Sequence, residues 1–74
     1  MSELKPLKPE KVLKALGELE FNQIRQSGSH IVLRHPDGRW VTVAVHQGED
    51  VAKGMLRKII RDVGITVEEF MKRV

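Results

Sequence analysis

The sequence predicts a small α+β domain in which a helix, three antiparallel strands and a second helix follow one another, with a short helix at the C-terminal end. Two observations carry this prediction. Residues 31–46 contain two alternating, β-branched runs separated by Pro36-Asp37-Gly38, which is the pattern of a β-hairpin. Apolar residues recur at helical spacing over residues 12–16 and 55–63. We therefore expect a three-stranded sheet with two helices packed on one face.

The first helix is predicted to begin at Pro9, because proline fits the first helical turn and Glu10 suits the positive end of the helix dipole. The residues of its apolar stripe are Val12, Leu13 and Leu16. Gly17 is the predicted stop. Residues 1–8 alternate charges and prolines without an apolar stretch, so we expect a flexible segment, no signal peptide or membrane span, and a cytoplasmic protein.

The first strand is predicted to turn into the second through a two-residue loop, Ser27-Gly28, in which glycine permits a positive φ. With that loop Ile24 would pair with Ile31, and Arg25 with His30. Ile24 would then join the core. Phe21 and Ile24 differ in parity, so we expect the strand to begin after Phe21 or to carry a bulge. Arg25 and His30 would lie opposite each other on the polar face.

The second hairpin is predicted from a three-residue loop, Pro36-Asp37-Gly38, with Gly38 in the left-handed conformation. The resulting pairs are His35 with Arg39, Leu33 with Val41 and Ile31 with Val43. This register is supported by the pattern of apolar residues, since it places four of them on one core face: Ile31, Leu33, Val41 and Val43. The polar face then carries His30, Val32, Arg34, Trp40, Thr42, Ala44 and His46. His46 would lie diagonally across from His30, with about 7–8 Å between backbones.

The second helix follows a loop at residues 47–50. Its buried stripe is predicted to be Met55, Leu56, Ile59, Ile60 and Val63, and its outer side carries Lys53, Arg57, Lys58 and Arg61. Gly64 is the predicted cap. Thr66 and Glu69 have the spacing of a capping box for a last short helix, whose Phe70 we assign to the core.

Length and composition limit what the chain can do. Its 74 residues predict a single domain over 1–74 with a thin core, and the absence of cysteine excludes disulfides, thiolate metal sites and a cysteine nucleophile. Thirteen Lys and Arg against ten Asp and Glu give a net charge of +3, with the basic residues concentrated between Arg25 and Arg61. Such a surface favours a polyanionic partner, although an ordinary solvated basic face explains the charge equally well.

Two histidines beside an arginine on a basic face suit metal-free cleavage of RNA. His30 could accept the proton of a ribose 2′-hydroxyl, His46 could protonate the leaving oxygen or bind phosphate, and Arg25 could stabilise charge on the phosphate. DNA lacks the attacking hydroxyl, so the mechanism itself requires RNA.

Each of these residues also has a simpler explanation. A surface histidine commonly has no catalytic role, and His35 falls at the turn on the opposite face. Ser29 suits a turn or a hydrogen bond better than a nucleophile. Trp40 opposite Arg34 suits a cation–π pair or a platform for a base. A zinc site at His30 and His46 has no third ligand in the sequence, so neither a metal nor another cofactor is expected.

Several segments, in this order and at this spacing, resemble the HicA family of small bacterial toxins. They are the first helix, Arg25-Gln26-Ser27-Gly28-Ser29-His30, His35-Pro36-Asp37-Gly38-Arg39, Val43-Ala44-Val45-His46 and Lys53-Gly54-Met55-Leu56-Arg57. The resemblance covers about Val12 to Phe70. It implies a fold like that of a double-stranded RNA-binding domain, which has the α-β-β-β-α order predicted above.

The resemblance also implies an activity and two partners. Members of the family are messenger RNA interferases of toxin–antitoxin pairs, held inactive by a HicB antitoxin that covers the active face. The histidine of the Gly-Ser-His motif is catalytic in the family, and it is His30 here. The residues we assign to RNA binding are Ser29, Arg34, Trp40, Lys53 and Arg57.

The sequence departs from the family pattern at two positions. Ala44 stands where the family often has proline, which affects the route into His46, and Met55 stands where the family often has threonine, which removes a hydroxyl helix cap. Two alternatives to a nuclease stay open: a non-catalytic module that binds double-stranded RNA through the same face, and a subunit that mainly binds protein.

Overall fold

The computed structural model of the chain describes residues 3–74; the predictions made for Met1 and Ser2 lie outside the described residues. The elements follow the predicted order: α1 (Pro9–Glu18), β1 (Asn22–Ser27), β2 (His30–Arg34), β3 (Trp40–Ala44), α2 (Lys53–Val63) and α3 (Val67–Met71). The strands form one antiparallel sheet in the order β1-β2-β3. The α+β arrangement predicted from the sequence is therefore confirmed.

Helix α1 ends one residue beyond the predicted stop, and its cap uses a different residue from the glycine we expected. Gly17 lies inside the helix, and Glu20 takes the left-handed conformation after it, with φ 69°. The Glu20 N–H donates to the carbonyl of Gly17 at 3.0 Å, and the Phe21 N–H donates to the carbonyl of Leu16 at 2.9 Å. These two bonds define a Schellman motif, and Phe21 and Leu16 are both buried beneath it.

The second hairpin has the predicted register. Ile31 pairs with Val43, Leu33 with Val41 and Arg34 with Trp40. The His35 N–H donates to the carbonyl of Arg39 at 2.7 Å, and Gly38 has φ 100°. The turn is held further by Asp37, whose carboxylate accepts the Arg39 backbone N–H at 2.9 Å.

The first hairpin differs from the prediction. The loop is Gly28-Ser29 rather than Ser27-Gly28, so Ser27 pairs with His30, and Arg25 pairs with Val32 instead of His30. Gly28 has φ 59° and is followed by a residue without positive φ, which is the pattern of a type II′ turn. The register also shifts between Gln23 and Arg25.

Ile24 occupies this β-bulge, and its assignment to the core was wrong. Its side chain is 59% exposed, because the extra residue of a bulge is left out of the alternation between the two faces of the sheet.

The helices cover one face of the sheet, as predicted. The four core-face residues of the second hairpin are buried in one cluster with the apolar stripes of both long helices. Its members are Val12, Ala15, Leu16, Phe21, Ile31, Leu33, Val41, Val43, Val51, Leu56, Ile59, Ile60, Val63 and Phe70.

The ends of the C-terminal helices follow the predicted caps, with one correction. Gly64 caps α2 with φ 84°, and the Thr66 hydroxyl accepts the Glu69 N–H at 3.1 Å at the start of α3. Met55 is half-buried inside the first turn of α2, and the N-cap is Ala52. The expectation that Met55 stands at the cap position is therefore wrong, since α2 begins at Lys53, directly after Ala52.

Two further contacts lie near the two ends of α2. Arg39 donates from its guanidinium to the carbonyl of Val63, at the C-terminal end of α2, and lies 5.4 Å from the centre of the Phe21 ring. At the opposite end, Leu7 and Val51 exchange two backbone hydrogen bonds of 3.1 and 2.7 Å. This pairing places one residue of the N-terminal segment against the loop before α2.

Candidate functional site

His30 is the first residue of β2 and lies on the sheet face turned away from the helices, which we call the outer face. The residues of this face in register are Asn22, Arg25, Ser27, His30, Val32, Arg34, Trp40, Thr42 and Ala44. His30 alternates with the buried Ile31 and is itself exposed. The imidazole is therefore accessible from solvent, next to the turn that begins at Gly28.

Arg25 shares the outer face with His30 even though the two do not pair. Arg25 pairs with Val32, two residues along β2 from His30. Diagonal neighbours of this kind have backbones about 7–8 Å apart, which is within reach of a long side chain. A phosphate lying between the two side chains could therefore contact both.

His46 follows the end of β3 and lines a cavity at that end of the sheet. The Val45 N–H donates to the carbonyl of Ser29 at 2.7 Å, which continues the predicted register beyond Ala44 and keeps His46 diagonal to His30. The cavity has a volume of about 650 Å³. His30 is not among the residues that line this cavity.

The walls of this cavity come from three separate segments of the chain. They are the start of α1, the turn between β1 and β2, and the loop before α2. The lining residues are Lys8, Pro9, Glu10, Gln26, Gly28, Ser29, Val45, His46, Gln47, Gly48, Glu49 and Asp50. Of these residues, the sequence indicated only Ser29 and His46 as site residues. The others were missed because no local sequence pattern shows that these three segments come together.

Arg34 and Trp40 pair across the strands at the far end of the outer face. Arg34 is four residues from His30, or about 13 Å at the rise of a strand. Trp40 is 63% exposed, and with Ile24 and Val32 it lines a shallow cavity of about 360 Å³. Within residues 3–74 the cation–π contact is Arg39 over Phe21, so the predicted Arg34–Trp40 contact is not formed.

His35 has a structural position, as its predicted place at the turn implied. Its ring lies 5.2 Å from the Phe21 ring, and its Nδ1 accepts the Asp37 backbone N–H at 3.1 Å. The side chain is only 17% exposed, so it is separated from the outer face.

Lys53 and Arg57 lie on the first turns of α2, in the helix layer rather than on the outer face. Both are exposed and line a cavity with Glu3, Leu4 and Val67. The neighbouring Lys58 instead forms an ion pair with Asp62 at 3.2 Å. The predicted basic surface is thus divided between the two layers of the molecule.

The charged groups of the second turn are paired with each other, unlike the arginines of the outer face. Arg39 is held by Asp37 through a 2.8 Å ion pair. The pKa of the Asp37 carboxyl is lowered, first by the backbone N–H of Arg39 and further by its guanidinium. In contrast, Arg25 and Arg34 form no ion pair within the described part of the chain.

The described residues offer neither a metal site nor a membrane-spanning helix. Over residues 3–74, no three His, Asp or Glu side chains come together in a way that could hold a metal ion. In the same range, every helix is too short or too polar to cross a bilayer.

A family model described as the HicA toxin of bacterial toxin–antitoxin systems matches residues 9–65, from the start of α1 to just past the end of α2. The chain belongs to the HicA toxin family. The resemblance read from the sequence is thereby confirmed, and a toxin of this family implies an antitoxin partner. The matched range contains His30 and every other predicted site residue of the HicA domain. A search of curated proteins found no match to the chain.

Proposed function

We propose that this HicA-family toxin is an endoribonuclease that cleaves messenger RNA without a metal ion, with His30 as general base. The observation that carries the proposal is the exposed His30 imidazole on the outer face, diagonal to Arg25 and beside the Gly28-Ser29 turn. Membership of a toxin family supports a growth-inhibiting role, and the chemistry of imidazole near neutral pH supports proton transfer.

The proposed reaction is an attack within the RNA strand. A ring nitrogen of His30 accepts the proton of the ribose 2′-hydroxyl, and the 2′-oxygen forms a bond to the adjacent phosphorus. The bond from phosphorus to the 5′-oxygen of the next nucleotide breaks, and that oxygen takes up a proton. The products are a strand that ends in a 2′,3′-cyclic phosphate and a strand that begins with a 5′-hydroxyl.

Arg25 and His46 have supporting roles in this proposal. Arg25 carries a fixed positive charge on the outer face and would stabilise the negative charge that builds on the nonbridging oxygens. His46 would protonate the leaving oxygen or bind a neighbouring phosphate from the cavity at the end of the sheet. Because His46 lines this cavity and His30 does not, we expect His46 to have the smaller effect on the chemical step.

The remaining site residues are proposed to bind RNA. Trp40 offers an exposed indole on which a base can stack, next to Arg34 on the paired strand. Ser29 borders the turn, while Lys53 and Arg57 would contact phosphates from the helix layer. A HicB-like antitoxin that covers the outer face would exclude RNA and inactivate the toxin.

Replacement of His30 by alanine tests the proposal. The wild-type chain should cleave single-stranded RNA and stop growth when expressed alone, whereas H30A should lose at least about 10²-fold in cleavage rate, the effect expected of a general base. Because the side chain is exposed, H30A should keep the melting temperature and RNA affinity of the wild type. Thr42→Val, which changes an outer-face residue with no group that titrates, is the matched control and should cleave normally.

The alternative functions predict different results. A non-catalytic RNA-binding module would bind RNA with wild-type affinity and cleave it in neither form. A subunit that only binds protein would show no salt-dependent affinity for RNA. Full activity of a folded H30A protein would exclude His30 as the base, and a loss of activity on adding EDTA would exclude the metal-free mechanism.

A further inference from the structure

Strand β3 forms an open edge of the sheet, and the register identifies which of its backbone groups are free. His35 forms a backbone hydrogen bond with Arg39, and Val45 forms one with Ser29. The backbone N–H and C=O groups that point toward β2 are therefore those of the odd-numbered residues of β3. The N–H and C=O groups of Trp40, Thr42 and Ala44 therefore point away from the sheet. Within residues 3–74 none of these six groups has a hydrogen-bond partner.

The two edges of the sheet differ in how well they are protected against pairing. The β1 edge is interrupted by the bulge at Ile24, which breaks the regular spacing of its outward groups. In β3 the five residues from Trp40 to Ala44 contain no bulge, no proline and no charged side chain. Natural proteins use those features to prevent edge pairing, so β3 is the edge left available.

We propose that β3 pairs with β3 of a second copy of this chain, antiparallel and centred on Thr42. Thr42 would then face Thr42 of the second copy, and Trp40 would face Ala44 at both ends. Each of these three pairs exchanges two N–H···O bonds, which uses every free group of the edge. The strand is thus complementary to itself, as a two-fold interface requires.

The side chains beside the edge fit the same register. Trp40 is 63% exposed, and the pairing brings its indole beside the small Ala44 side chain of the other copy. Lys58 and Asp62 of α2 line a groove of about 700 Å³ along the edge with Trp40 and Thr42. Asp37 and Arg39 also line this groove, so each copy brings two cations and two carboxylates to it, and these charges cancel.

The pairing would leave the outer face open. Antiparallel strands joined edge to edge are related by a two-fold axis perpendicular to the sheet, so the outer faces of both copies lie on the same side. Both His30 side chains would then be on one continuous surface. This arrangement would be formed whether or not the chain cleaves RNA, so it stands independently of the proposed function.

Sedimentation equilibrium of the full chain tests the proposal, with Thr42→Pro as the decisive variant. Proline removes the outward N–H at the centre of the interface but no hydrogen bond of the native sheet, and edge strands tolerate it at such positions. The wild type should form dimers, and T42P should raise the dimer dissociation constant at least about tenfold through the lost central hydrogen bonds. Thr42→Val keeps the N–H and the β-branched shape, and should dimerise like the wild type.

A cross-linking measurement gives an answer that does not require T42P to fold. The chain has no cysteine, so Thr42→Cys carries the only thiol and should be joined into dimers by a short bis-maleimide. Ser27→Cys, exposed on the other edge strand, should remain monomeric under the same treatment. A wild type that is monomeric at every concentration, equal cross-linking of both variants, or undiminished dimerisation of folded T42P would each overturn the proposal.

Discussion

At the scale of single residues, Glu20 holds a backbone conformation that favours glycine. It has φ 69° at the end of α1, and its side chain is exposed. The left-handed conformation costs a residue with a Cβ atom about 1–2 kcal/mol. Glycine avoids this cost, but part of the gain in stability is lost because glycine gives the unfolded chain more conformational freedom. We predict that Glu20→Gly raises the free energy of unfolding by roughly 0.5–1 kcal/mol in urea denaturation.

Gly64 provides the matched control at the end of α2. It has φ 84°, and a Cβ atom built on it meets only the Arg39 guanidinium, at an ordinary 3.7 Å. Gly64→Ala should therefore lower the free energy of unfolding by about 1 kcal/mol through backbone strain alone. Equal and opposite effects at the two caps would support the conformational explanation; a destabilising Glu20→Gly would contradict it.

Asp37 gives the hairpin turn a predictable dependence on pH. Its pKa in the folded chain is below its ordinary value, because the Arg39 backbone N–H donates to the carboxylate and the guanidinium adds to the effect. A lowered pKa means that Asp37 stabilises the fold above its unfolded pKa, and that this contribution is lost as the pH falls through the folded pKa.

Asp37→Asn should therefore lower the melting temperature near neutral pH and reduce the further loss on acidification below about pH 4. Thermal unfolding of both forms between neutral and acidic pH measures the difference. A constant difference in melting temperature across that range would show that the charge of Asp37 does not contribute.

At the scale of elements, the two hairpins differ in how far the sequence determines them. The Pro36-Asp37-Gly38 loop has a distinct residue for each position, and the apolar pairs on both sides support a single register. The Ser27-Gly28-Ser29 segment allows two loops of the same length. The apolar pairing that favoured Ser27-Gly28 depended on Ile24. The difference in parity between Phe21 and Ile24 indicated a strand that begins after Phe21 or carries a bulge, and β1 does both, but parity did not show that the bulge would expose Ile24.

The bulge has a measurable consequence for stability. Ile24→Ala should change the free energy of unfolding by less than about 0.5 kcal/mol, as expected of an exposed position. Ile31→Ala, which removes a side chain that is only 6% exposed from the adjacent strand, should cost about 2–5 kcal/mol. Comparable losses in the two variants would place Ile24 in the core and contradict the bulge.

At the scale of the whole molecule, the periodicity of apolar residues was sufficient to predict the two layers of the fold but not the candidate site. The apolar stripes at residues 12–16 and 55–63 and the alternation of β2 and β3 account for the core, and the same alternation placed His30 in solvent. The surface could not be predicted in the same way. Arg39 belongs to the basic residues in the middle of the chain, but it forms an ion pair with Asp37 and donates a hydrogen bond to the carbonyl of Val63.

The division of the charges also depends on the three-dimensional arrangement. Arg25 and Arg34 lie on the outer face, whereas Lys53 and Arg57 lie on α2 behind it. An RNA strand that contacts all four would therefore have to reach both layers of the molecule.

The ends of the RNA products test the central claim most directly. Mass spectrometry of an RNA oligonucleotide treated with the wild-type chain should detect fragments with 2′,3′-cyclic phosphate and 5′-hydroxyl ends, and none from H30A or from the same oligonucleotide made with 2′-deoxyribose. Fragments that carry 5′-phosphates, or cleavage of the deoxy oligonucleotide, would contradict attack by a 2′-hydroxyl that His30 deprotonates.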